Sequence, residues 1–132
     1  MLSLAKYVLE VDMMEEESRI YVLTEFTIMP GKVDAFKEIA QELLEVVREK
    51  EPETLRYMWY FDKDQNKSYA VEEYPNAAAL RAHALHLGTA LPKMLKISKP
   101  KFTVLGKPNL VVKEILSVYG AQDFTYWDGL AR

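Results

Sequence analysis

Residues 20–48, IYVLTEFTIMPGKVDAFKEIAQELLEVVR, change their hydrophobic period once, at Met29-Pro30-Gly31, and that change decides the fold. Before the break the stretch is rich in β-branched and aromatic residues. Ile20, Val22, Phe26 and Ile28 share one side and Tyr21 and Leu23 the other, so the segment reads as a strand that is apolar on both faces, with Thr24 and Glu25 as exceptions. After the break Val33, Phe36, Ile39, Ala40, Leu43 and Val47 recur at helical spacing, with Lys37, Glu38, Gln41, Glu42, Glu45 and Arg48 between them. This pattern predicts an amphipathic helix of about four turns.

Working outward, Glu51-Pro52-Glu53 ends the helix, because proline disfavours helical geometry in the residue before it. Leu55 to Phe61 alternates as a strand with Leu55, Tyr57, Trp59 and Phe61 on one face. The polar run Asp62–Asn66 is a turn of hairpin length, and Ser68 to Tyr74 returns. Pro75-Asn76 opens a second helix, Ala77 to about Leu87, whose stripe holds Leu80, His83, Ala84 and Leu87. Another helical turn or two carries Leu91, Met94 and Leu95; Pro100 closes it, and Phe102 to Leu105 is a fourth strand. The order β-α-β-β-α-β predicts an α+β, ferredoxin-like sandwich: a four-stranded antiparallel sheet with two helices on one face. The expected divisions are an N-terminal arm over 1–19, this domain over 20–107, and a tail over 108–132. In the tail, Pro108 starts a helix through Leu116, Gly120 caps it, and Phe124 to Trp127 is aromatic and extended.

The chain has 132 residues, enough to bury a core in one domain without covalent staples. A net charge of −3 and a pI near 5.5 give no general reason to expect nucleic acid or an anionic membrane as partner. No cysteine is present, which excludes disulfides, thiolate zinc sites, iron–sulfur clusters and a cysteine nucleophile. No apolar run has the length of a membrane span. Met1 to Asp12 carries Lys6 and Glu10 and lacks a cleavage site, so it makes a poor signal peptide, and a cytoplasmic protein is expected.

Two helices can cover only one face of a four-stranded sheet, yet the strands 20–28 and 55–61 carry large apolar groups on both. The expected cover for the second face is the same sheet of another copy, giving a two-fold homodimer.

His83 and His86 are the only histidines. His83 lies on the apolar stripe of the second helix and points to the sheet, either as a hydrogen-bonded core residue or as a general base. His86 is expected to be exposed, and no third ligand signals a metal site. Tyr57, Trp59, Tyr69 and Tyr74 crowd the hairpin, as core or as walls of an aromatic cavity. Glu25, Glu72 and Glu73 sit on strands; one or two of them would face inward and have a raised pKa or an ion-pair partner. The run Lys93, Lys96, Lys99, Lys101 and Lys107 reads as a solvated face. No phosphate-binding glycine loop, serine nucleophile elbow or HExxH zinc motif occurs.

In order and spacing, Met29-Pro30-Gly31-Lys32, Phe36, Glu51-Pro52, Leu55-Arg56-Tyr57-Met58-Trp59-Tyr60, Glu73-Tyr74 and Ala82-His83 resemble the antibiotic biosynthesis monooxygenase domain, a group of dimeric α/β barrels. The resemblance spans about residues 20–107 and implies a homodimer joined through the open face of the sheet. It also implies oxygenase chemistry on a phenolic, quinol or polycyclic aromatic molecule with neither metal nor flavin, hence no cofactor. An enzyme base deprotonates the phenol, and the anion passes an electron to dioxygen. The positions it points to are His83, Tyr74 and Tyr57 as catalytic groups, and Trp59, Thr24, Phe26 and Glu73 as substrate contacts. Quinol-oxidising members carry a second histidine five positions after the first, where this chain has Gly88. The Asn, Trp and His of haem-degrading relatives correspond to Thr24, His83 and Lys93, which speaks against haem degradation. The competing expectation is a dimeric module that binds a small aromatic ligand, or an interaction domain, without turnover.

Overall fold

The structure, a computed structural model, describes residues 3–7 and 16–132; most of the expected N-terminal arm therefore lies outside the described residues. Strand β1, Ile20–Ile28, is the centre of the sheet. Helix α1, Val33–Lys50, follows a tight turn in which Gly31 takes a φ of +78° and the Lys32 amide donates to the Met29 carbonyl. Its buried face is Phe36, Ile39, Ala40 and Leu43, as the period predicts. Strand β2, Arg56–Phe61, and strand β3, Lys67–Tyr74, form the hairpin; Gln65 takes the left-handed conformation its turn requires, and the Asp62 carboxylate accepts from the Lys67 amide at 3.0 Å. Helix α2, Ala77–His86, starts where the Asn76 side chain accepts from the Ala79 amide, satisfying one of the first-turn donors. Helix α3, Ala90–Ile97, leads into β4, Ser98–Leu105. Helix α4, Leu110–Val118, is capped by Asn109 and is followed by a short strand β5, Gln122–Phe124.

The sheet order is β2-β3-β1-β4-β5. The first four strands pair antiparallel as the element order predicts, but the fifth pairs parallel to β4, so the sheet is mixed. The reason is connectivity: a strand, a crossover helix and a second strand on the neighbouring edge must run the same way. Strand β4 also starts four residues earlier than the apolar run suggests and includes Pro100. Strand β5 reaches only Thr103–Leu105, so Pro100 sits where β4 is still an edge, the place a missing N–H is tolerated.

Burial alternates along β1. Ile20, Val22, Thr24, Phe26 and Ile28 face the helices, while Tyr21, Leu23, Glu25 and Thr27 face away. Two apolar clusters form under the helices. Ile20, Val22, Tyr74, Leu80 and Val104 meet α2 and α4, and Phe26, Ile28, Phe36, Leu43 and Met94 meet α1 and α3. Among the described residues no helix is long and apolar enough to cross a membrane.

Gly106 ends β4 at a φ of +117°, and a Cβ there would lie 2.7 Å from the carbonyl oxygen of Arg19. The neighbour is backbone, so it cannot swing aside. Gly106→Ala is therefore expected to cost more than about 1 kcal/mol in urea denaturation, whereas Gly129→Ala, with open space around it, changes little.

Candidate functional site

The site begins with register. Trp59, Ala70, Thr24 and Phe102 stand side by side across β2, β3, β1 and β4, on the helix-facing side. Two small residues in the middle of that row, flanked by two large aromatics, leave a gap that the helices do not fill. The result is a cavity of about 210 Å³ between sheet and helices, closed at one end by α4 through Val112, Ile115 and Leu116. Thr24, Phe26, Tyr57, Trp59, Glu72 and His83 line it. The Thr24 hydroxyl and the Trp59 indole N–H are buried and have no hydrogen-bond partner among the described residues.

One wall is polar. Strand alternation turns Glu72 and Tyr74 to the inside along with Ser68 and Ala70, and the Tyr74 hydroxyl donates to Glu72 Oε1. Glu51, the residue that caps α1, is buried and accepts from the Thr54 hydroxyl at 2.9 Å. The i, i+3 spacing of α2 then presents both histidines to that one carboxylate. His83 Nδ1 lies 2.9 Å from Glu51 Oε1, and His86 Nδ1 lies 3.1 Å from Glu51 Oε2. On its other side, His83 Nε2 lies 3.3 Å from Glu72 Oε1. The His83 ring also packs edge-on against Tyr57, centroids 5.0 Å apart. His86 is therefore not the free surface residue its position suggested; its side chain is 31% exposed and tied to Glu51.

These contacts set the ionisation. Burial pushes Glu51 up, but the hydrogen bond and charge of His83, with Thr54 and His86, overcome it and hold the carboxyl below its usual range. Burial pushes Glu72 up, only partly offset by His83 and Tyr74. Burial alone would lower His83; the hydrogen bond to Glu51 and the charges of Glu72 and Glu51 reverse that and raise it. With Glu51 ionised, His83 donates from Nδ1, which leaves its Nε2 facing Glu72 Oε1. Burial next to these carboxylates raises the hydroxyls of Tyr57 and Tyr74 well above 10.

Of the residues singled out in the sequence, the structure gathers His83, Tyr57, Trp59, Thr24 and Phe26 around one space. Tyr74 is fully buried behind Glu72 and does not line the cavity. Glu73 points to the opposite face of the sheet, where it joins Arg19 at 3.0 Å and Arg56 at 3.2 Å. Glu51 is the functional group that sequence reasoning missed; its signal was its place as the last residue before Pro52, at the end α2 faces. Among the described residues no group of three or more His, Asp or Glu side chains is placed to hold a metal ion.

The pH dependence of stability follows from the signs. A raised His83 contributes stability that is complete below 6.5 and lost as pH rises through its folded value; Glu72 acts in the same sense from 4.5 upward. Glu51 acts oppositely, and its contribution is lost as pH falls from 4.5 through its folded value. Thermal unfolding is therefore expected to show a falling alkaline limb above pH 6.5. His83→Gln should flatten that limb while lowering stability overall by about 3 kcal/mol, because Glu51 loses its main partner.

The sequence profile of the antibiotic biosynthesis monooxygenase family matches residues 19–86. No curated protein sequence matches the chain closely enough to count as a relative. Among solved structures, MupZ from Pseudomonas fluorescens is similar with a TM-score of 0.73 at 20% identity, covering 86% of this chain and 94% of that one. A candidate antibiotic biosynthesis monooxygenase from Caulobacter crescentus CB15 has a TM-score of 0.62 at 19% identity, over 76% and 99% of the two chains. A conserved protein from Methanosarcina mazei Go1 reaches 0.63 at 19% identity, over 72% and 98%. These likenesses share the fold, and the profile spans half the chain, the part that runs from β1 to the histidines of α2: the chain belongs to the antibiotic biosynthesis monooxygenase family.

Proposed function

We propose that this protein is a cofactor-independent oxygenase of a phenol or quinol with one or two rings. The observation that carries the reading is a buried His83–Glu72 pair opening onto an otherwise apolar cavity, in which the Thr24 hydroxyl and the Trp59 N–H lack partners. Buried donors of this kind are nearly always satisfied, and an oxygen atom of a bound aromatic molecule would satisfy both. The volume narrows the choice. An apolar cavity of about 150 Å³ admits benzene, so 210 Å³ suits one ring with substituents or two fused rings. Larger polycyclic molecules exceed it.

The chemistry asks the protein for little beyond a dry pocket and a base. The His83–Glu72 pair takes the phenolic proton, and Trp59 and Thr24 hold the resulting oxyanion. The electron-rich anion then reduces dioxygen by one electron, and the two radicals combine. Loss of water leaves a quinone, so phenol and dioxygen become quinone and water: one oxygen atom enters the ring and no external reductant is used. Tyr57 walls the base, and Tyr74 acts through Glu72.

The outer face of the sheet supports a dimer as the working form. Met58, Val71, Leu23 and Thr103 form one row across it, with Tyr60 and Tyr69 in the next. Met58, Tyr60 and Tyr69 are each more than two-fifths exposed, and the ion pairs Lys67–Glu25 and Arg56–Glu73 lie on the same face. A second copy related by a two-fold axis would cover the apolar rows and meet opposite charges with opposite charges.

Oxygen uptake with a panel of one- and two-ring phenols and quinols is expected, with His83→Gln lowering kcat by about 10²-fold or more. A ligand that raises the melting temperature but never consumes oxygen would instead establish the binding-module reading. Sedimentation at micromolar concentration should show a dimer that Tyr60→Glu converts to a monomer; a wild-type monomer would remove the interface.

A further inference from the structure

The cavity's histidine is sealed from solvent, yet it is not isolated. His83 is 4% exposed, and Tyr57, Glu72 and Tyr74 enclose it from the sheet and Glu51 from the end of α1. Glu51 is itself buried, and its second oxygen meets His86, whose ring is 31% exposed. The spacings are all hydrogen-bond distances: 2.9 Å from His83 Nδ1 to Glu51 Oε1 and 3.1 Å from Glu51 Oε2 to His86 Nδ1. Glu51 Oε2 is also 3.2 Å from His83 Nδ1, so a single carboxylate oxygen reaches both rings, a short bridge by which a closed cavity can exchange protons with water.

We propose that Glu51 and His86 form a proton path that links the cavity face of His83 to solvent. At rest both histidines donate from Nδ1 to Glu51; exchange of the His86 ring with water moves its proton to Nε2 and leaves Nδ1 free to accept, and the path starts there. A proton arriving at His83 Nε2 releases the Nδ1 proton to Glu51 Oε2, the oxygen that also faces His86. Glu51 passes it to His86 Nδ1, and the Nε2 proton of His86 leaves to water. One proton enters and one leaves, Glu51 regains its charge, and passage in the reverse direction restores both tautomers. Glu51 holds the proton only in passing, consistent with a carboxyl held below its usual range by its two histidines and Thr54. His86 and Glu51 are positioning residues in this scheme; neither lines the cavity.

The path serves the proton that the proposed oxygenase reaction must move, and to that extent it rests on that reading, but it can be tested without the reaction. In protein labelled with ¹⁵N-histidine, the solvent exchange rate of the His83 ring N–H is measured by NMR. His86→Gln keeps the size of the side chain at a half-exposed position and removes its ability to relay a proton. It is expected to slow His83 exchange by about tenfold or more, and free imidazole in the buffer should restore the rate. Glu51→Gln, if folded, should slow it as well and resist rescue. Exchange unchanged in a folded His86→Gln protein would overturn the path, with protons then reaching Glu51 from the open depression that it lines with Pro52, Thr54 and Asn76. Slowing without rescue would also overturn it, because it would mark tighter packing rather than a lost relay. Slowed and rescued exchange in a protein that never consumes oxygen would leave the path standing and remove the oxygenase reading.

Discussion

One buried carboxylate organises this molecule. The Glu51 side chain is 2% exposed, and an ionised carboxyl taken that far from water is tolerated only when its lone pairs are filled. Here a threonine hydroxyl and two histidine rings fill them. That requirement fixes the end of α1 against α2, and it fixes the His83 ring by one nitrogen. The other nitrogen is then left facing Glu72. A buried pair of this kind contributes little net stability compared with apolar packing of the same volume, so its presence argues for chemistry rather than for holding the fold together.

The cavity depends on a second constraint, the strand register. Small side chains at Thr24 and Ala70 leave space only because they fall in the same row as Trp59 and Phe102. A shift of β1 by two residues would keep every side chain on its proper face and put Val22 or Phe26 where Thr24 stands, closing the gap with a larger group. The apolar pattern alone therefore says that a core exists here; it does not say that the core has a hole.

How much of this was legible in the sequence follows the same division. Elements set by local rules were readable: the change of period at Met29-Pro30-Gly31, the Asn76 cap, the polar turn at Asp62–Asn66, and Gly120 in a left-handed conformation just past α4. The position of His83 on an apolar helix stripe was readable too. Elements set by distant partners were not. Glu51 and His83 stand thirty-two positions apart, and nothing in either segment names the other. Strand β5 is three residues long with no apolar alternation, and only the free edge of β4 makes it a strand. The adjacent pair Glu72 and Glu73 shows both cases. Period two, counted back from Tyr74, turns Glu72 inward, but which of the two would find a histidine and which two arginines depends on α2 and on Arg19.

The two faces of the sheet carry their charge differently, and the difference is functional. On the outer face Glu73 is 7% exposed and pairs with two arginines that are themselves 33% and 62% exposed. On the inner face Glu72, 8% exposed, meets His83 and Tyr74 instead. Adjacent, equally buried residues of identical chemistry are thus divided into a carboxylate held by two permanent cations and an acid that meets a histidine and a tyrosine. The second is the one placed to exchange a proton with a bound molecule, because burial raises its pKa and it borders the cavity. The sheet achieves this with no special motif: it gives one glutamate two arginines and turns the next toward a histidine and the cavity.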